Sequence, residues 1–166
     1  MSPTGGAPEA PAGPMTRAED KHMSRMIFVN LPASDIAATT RFYEAIGCVR
    51  NAHFSNEKAV SMMWSDSIVF MLLRPDFFAT FTPKQVGDAR RASEVLVALS
   101  LESREAVDAF AEAAARAGGK ADAAPAQDLG FMYSRTIEDP DGHMFEPMWM
   151  DPSAIEGAAG AEAAHA

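Results

Sequence analysis

The chain has 166 residues, 48% of them hydrophobic and 22% charged, which suits one globular domain with a real core and leaves little room for two. Its net charge is −9, and residues 25–151 alone hold 12 Lys/Arg against 18 Asp/Glu; an acidic body with no basic cluster argues against nucleic acid or an anionic membrane as partner. A single cysteine, Cys48, excludes an intramolecular disulfide and a cysteine-cluster zinc site, and fits a reducing, cytoplasmic setting.

Residues 1–24 are rich in Pro, Gly and Ala and contain no apolar segment of the secretory type, so they are expected to be a disordered tail, not a leader. Met23 and Met26 leave open a start downstream of Met1. The body begins with residues 26–34, which read as a strand ending at Pro32. Asp35 is placed to cap a helix over 36–46, and Gly47 closes it. Its apolar residues Ile36, Tyr43 and Ile46 share one helical face with Phe42. Three further strand-like runs follow, at 48–54, 59–64 and 67–73, separated by Ser-Asn-Glu and Ser-Asp turns.

Sixty-eight residues downstream the pattern returns. Residues 95–101 read as a strand, Ser103 as a cap, 104–117 as a helix with Val107, Phe110 and Ala114 on one stripe, and Gly118-Gly119 as its end. A short run at 120–122, then 131–137 and 144–150, complete the second copy, with Pro140-Asp141-Gly142 as the turn before the last strand. The order is β-α-β-β-β, twice. Modules 25–74 and 92–151 are joined by linker 75–91, in which Phe77, Phe78 and Phe81 are unusually apolar for a connection. Residues 152–166 form a second low-complexity tail. The fold class expected is α+β: two tandem βαβββ modules whose curved mixed sheets form a cup, with the helices outside. No apolar run approaches the roughly 20 residues that span a bilayer. No Gly-rich phosphate loop, G-x-S-x-G elbow or Cys/His nucleophile pair occurs.

Ser34-Asp35-Ile36 with Arg41-Phe42-Tyr43-Glu44 and Ile46-Gly47, then Val97–Ser100, Gly118-Gly119 and Glu138-Asp139-Pro140-Asp141-Gly142-His143 running to Glu146, together resemble the vicinal oxygen chelate superfamily. That superfamily includes glyoxalases I, extradiol dioxygenases and the fosfomycin and bleomycin resistance proteins. The resemblance implies a cup holding a divalent metal, with ligands from the first and fourth strands of each module. Those positions fall here on Phe28, Met71, Leu96 and Glu146. Only Glu146 can ligate a hard cation, and one carboxylate does not make a tight divalent site. The expectation is therefore no metal and no cofactor, with a residual ion at Glu146 as the lesser alternative.

The same substitutions describe an apolar cup. Met144, Met148 and Met150 alternate onto the side of Glu146, and methionine suits irregular apolar surfaces. Glu146 is the candidate catalytic group, as proton carrier or ligand anchor, against the plainer reading of a carboxylate hydrogen-bonded within the cup. Phe28, Asn30, Met71, Leu96, Tyr133 and Met148 are the candidate ligand contacts. Asn30 is more simply a partner for neighbouring backbone, and the face on which Tyr133 stands is left open. His53 is read as a surface residue, His143 as part of the turn, and Phe42, Tyr43, Phe145 and Trp149 as core. The first function expected is binding of a small, largely apolar or aromatic molecule without metal, as bleomycin-type resistance proteins do. The alternative is a metal-dependent enzyme, a lactoylglutathione lyase or dioxygenase type, using Glu146; a protein with a vestigial cup is the third. A homodimer is expected, and whether one chain closes its own cup or two chains share it is left open.

Overall fold

The computed structural model describes residues 25–154, so the tails expected at 1–24 and 152–166 lie outside the described residues except for a helical turn at 152–154. Two sheets form the body. In the first, β1 (Ile27–Pro32), β4 (Ile68–Leu73), β3 (Ala59–Met63) and β2 (Val49–Asn51) lie in the order β1-β4-β3-β2, with β1 parallel to β4. In the second, β10 (Met144–Met150) is the hub. It pairs in parallel with β5 (Leu96–Ser100) on one side. On the other it pairs antiparallel with both β8 (Met132–Ser134) and β9 (Ile137–Glu138). Two short strands, β7 (Gln127–Asp128) and β6 (Lys120–Ala121), finish the two arms.

The helices start where the sequence places them. Asp35 accepts from the backbone N–H of Ala38 and opens α1 (Ile36–Ala45). The linker carries a short helix of its own, α2 (Pro75–Phe78), with proline at its first turn. Ser103 accepts from the N–H of Ala106 and opens α3 (Arg104–Arg116). Two expected strands are broken. The first, 48–54, stops at Asn51, whose side chain accepts from the N–H of His53 and turns the chain into a 3-10 turn. The second, 131–137, splits into β8 and β9 at Arg135 and Thr136, and the turn at Gly130 (φ +80°) folds the β7–β8 hairpin.

Alternation sorts every strand into two faces. On one face Phe70 and Leu72, Val60 and Met62, Leu99, Ile137 and Phe145 are buried with Phe42 and Tyr43 of α1 and Phe110, Ala111 and Ala114 of α3 in one core. The Phe70 and Phe145 rings, one from each sheet, lie 5.5 Å apart edge to face, and Tyr43 packs on both. Each helix thus sits on the back of its own sheet, and the two backs share one core.

The Asp-Pro-Asp-Gly turn clasps the modules together. Asp139 accepts from the Tyr43 hydroxyl (3.0 Å) and from the N–H groups of Asp141 and His143. Asp141 accepts from the Ser34 N–H (2.9 Å) and hydroxyl (2.6 Å), from Thr39 (2.8 Å) and from Arg90 of the linker (3.2 Å). His143 Nε2 lies 2.8 Å from the Pro32 carbonyl oxygen. Gly119 is needed for close approach, because a Cβ there would strike Phe42 and the Glu138 carbonyl.

Candidate functional site: two open faces

The other face of each sheet carries the candidate site. Phe28 and Asn30 alternate onto the open face of β1, and the β1–β4 register puts Asn30 beside Met71. The row continues through Ser61 and Asn51. In the second sheet the same logic places Leu96 beside Met144, with Glu146 and Met148 next along β10. Three of the candidates therefore share one open face and three the other.

Within one chain the two faces do not meet. Phe70 and Phe145 join the opposite sides of the sheets, so Phe28, Asn30 and Met71 point away from Leu96, Glu146 and Met148. The residues along the β1 and β5 edges are correspondingly bare: Ile27 is 60% exposed, Phe28 55%, Val95 63% and Leu96 52%.

Tyr133 lies on neither open face. It is register-paired with Trp149 on the helix side, its hydroxyl donates to Asp108 of α3 at 2.8 Å, and the Arg104 guanidinium stacks 4.7 Å from its ring centroid. The β8–β10 register aligns it with Trp149 rather than Met148, so it stands on the helix side of its sheet, apart from the other six candidates. The hydrogen bond to Asp108 holds its hydroxyl above the usual tyrosine range.

Glu146 is held in place. The Ser134 hydroxyl, itself buried, donates to Glu146 Oε1 at 2.9 Å, and Oε2 has no protein partner among the described residues. Sequence reasoning missed Ser134 and also Glu138, which register-pairs with Met144 and so stands on the open face one step from Glu146, with Lys120 at 3.9 Å. The signal was present, since two strands joined by the Asp-Pro-Asp-Gly turn must bring Glu138 opposite Met144. Among the described residues of a single chain, no three His, Cys, Asp or Glu side chains gather around a common point suited to a metal ion. The donor set at the four inherited positions is one carboxylate, two aliphatic or thioether chains and a phenyl ring. It does not fit a divalent ion.

The family model for the Glyoxalase/Bleomycin resistance protein/Dioxygenase superfamily matches residues 25–146. The chain belongs to that superfamily. Among solved structures, this superfamily member is similar to a hypothetical protein from S. aureus (22% identity, 78% of this chain and 96% of that one, TM-score 0.64). It is also similar to a glyoxalase/bleomycin resistance protein/dioxygenase family enzyme from Burkholderia phytofirmans (19%, 76% and 99%, TM-score 0.62), and to a glyoxalase-related enzyme from Fulvimarina pelagi (20%, 76% and 88%, TM-score 0.64). At these identities the likeness is one of fold. A search of curated proteins gives no match. No helix among the described residues of this superfamily member is long and apolar enough to cross a membrane.

Asp141 and Asp139 are the acidic residues buried by the fold among the described residues. Burial acts to raise Asp141, but the hydrogen bonds from Ser34 and Thr39 and the nearby Arg90 outweigh it and hold the carboxyl below the usual range. Asp139 is raised by burial, against the pull of His143 and its hydrogen bonds. Burial, with Asp139 beside it, lifts the Tyr43 hydroxyl well above its ordinary value. Cys48 is pushed up to about 12 by burial alone, which makes it a poor nucleophile.

Proposed function

We propose that this superfamily member binds a small, largely apolar or aromatic molecule without a metal, in a cup that two copies of the chain complete. The observation that carries the reading is the pair of open faces. One presents Phe28, Asn30 and Met71, the other Leu96, Glu146 and Met148, and only one of these six side chains can be charged. Each face is half of a cup, and the exposed apolar edges of β1 and β5 are what a monomer in water would leave uncovered at a cost. Docking one copy's first sheet beside the other's second would cover both edges and bring the halves together. The ligand's body would lie among phenyl and thioether groups, and its polar end would meet Glu146 Oε2, which Ser134 aims by holding Oε1. A cytoplasmic homodimer is the form in which this would operate.

A second reading has one observation in its favour. Glu138 stands beside Glu146 on the same face, so a metal-dependent enzyme of lyase or dioxygenase type could draw a second carboxylate from a position the inherited pattern does not use.

A thermal-shift screen of aromatic compounds against the full chain, run in the presence of chelator, separates the two. Ligand that binds only the native state raises the melting temperature by mass action. The first reading expects the rise to survive chelator and to vanish in Leu96→Asp. Stabilisation that requires an added divalent ion would overturn it in favour of the enzyme.

A further inference from the structure

The linker does more than connect the modules. Between α2 and β5 it passes over the ends of β1 and β5 and roofs a hollow of about 330 Å³, a size at the lower end of small-molecule sites. Leu31, Val97 and Phe145 form its apolar floor, and Phe78 and Val86 close it from the linker. A second hollow of about 250 Å³ continues toward Arg90 and Asp141, and His143 lines both.

Both ends of the roof are anchored. At the α2 end the Arg74 N–H donates to the Lys58 carbonyl at 2.9 Å, and within the linker Phe77 and Phe81 stack on each other edge to face at 5.1 Å. At the other end the Arg90 guanidinium donates to the Pro140 carbonyl at 2.9 Å and to Asp141 at 3.2 Å. The strap lies flat on Gly142, where a Cβ would come within 2.7 Å of the Arg90 nitrogen. Between the anchors, no hydrogen bond among the described residues ties the backbone of residues 85–87 to the body. The roof is fixed at its ends and free to adjust in its middle.

The chemistry of the hollow is narrow. Lys84 and Glu94 at its rim carry opposite charges, which gives no preference for a charged ligand. His143 is the polar group shared by both hollows. Its Nε2 faces the Pro32 carbonyl, and a carbonyl only accepts, so Nε2 must donate. In the neutral ring Nδ1 is then an acceptor, and it has no protein partner among the described residues.

We propose that the cleft under the linker is a second ligand site, separate from the open faces, that takes a neutral planar aromatic molecule bearing one N–H or O–H donor. Indole and phenol are the simplest members of that class. The ring occupies the apolar hollow and the donor binds His143 Nδ1. Met144 of the second open face borders the hollow, but none of Phe28, Met71, Leu96 or Glu146 lines it, so the two sites can be tested separately.

Titrating the full chain with indole while following its backbone amide NMR signals tests this. The expected result is shifts at residues 85–87, Val97 and 143–145. 1-Methylindole, which keeps the ring and loses the donor, should bind roughly three- to ten-fold more weakly, the range of one hydrogen bond. Val86→Trp, placed on the adjustable roof so that folding is undisturbed, should fill the hollow and weaken indole binding by about ten-fold or more. His143→Phe should bind the two probes equally. Absence of shifts at those residues, equal binding of the probes by the wild type, or wild-type indole affinity in Val86→Trp would each overturn the site. Shifts confined to Phe28, Met71, Leu96 and Glu146 would overturn it too, while leaving the cup reading intact.

Discussion

Asp141 and Glu146 stand on one turn-and-strand unit, yet their surroundings are opposite. Asp141 faces the junction of the modules and is surrounded by donors from α1, the end of β1 and the linker. Glu146 faces outward, has one donor on one oxygen, and is flanked by methionines. The first carboxylate is used up by the fold, whereas the second is kept half-free. The most recognisable acidic motif of the sequence is therefore a clasp, and the carboxylate left with a free oxygen lies just past it, where the pattern is weaker.

The largest effect that would sharpen this contrast is the loss of the clasp. Asp141→Ala strands the buried Thr39 hydroxyl, takes the acceptor from the Ser34 N–H and hydroxyl and from Arg90, and should cost about 3 kcal/mol or more of unfolding free energy. Glu146→Ala, read in the same urea titration, should stay within about 1 kcal/mol of the wild type. Comparable losses at the two positions would break the comparison.

A smaller effect appears with pH. The folded pKa of Asp141 lies below its unfolded value. Its ionised form therefore contributes stability that is present above the unfolded carboxylate range, near about pH 4, and is lost as pH falls through the depressed folded value. Asp139, raised by burial, acts in the opposite sense and offsets part of the loss. Melting temperatures taken from pH 6 downward should fall, and in Asp141→Asn the slope should flatten. A steeper slope in that variant would contradict the assignment.

Much of the fold was legible because its signals are local. Caps at Asp35 and Ser103, glycines after both helices and alternation in the strands each leave a residue-level mark, and the repeat spacing joins them into two modules. What was not legible depends on tertiary register. The break of 131–137 into β8 and β9 follows from β10 pairing with two partners at once. The face of Tyr133 is fixed only by its alignment with Trp149. The relation of the two sheets was equally hidden, because apolar residues on both faces of β1 and β4 give no hint of which side meets the other module. At the site, the family resemblance pointed to Glu146 and alternation to its methionine neighbours. Ser134 could not, since its contact with Glu146 crosses strands.

The smallest expected effect is at that contact. Ser134→Ala should lower stability by only about 1 kcal/mol, yet weaken binding of an aromatic ligand with a polar end by freeing Glu146 to rotate. A binding constant unchanged in Ser134→Ala would show that the carboxylate needs no aim.

Elemental analysis of the purified full chain after gel filtration tests the central claim most directly, that the cup works without a metal. The donor set at Phe28, Met71, Leu96 and Glu146 predicts far less than one equivalent of zinc, nickel, iron or manganese per chain. One equivalent retained by the wild type and lost in Glu146→Ala would contradict it.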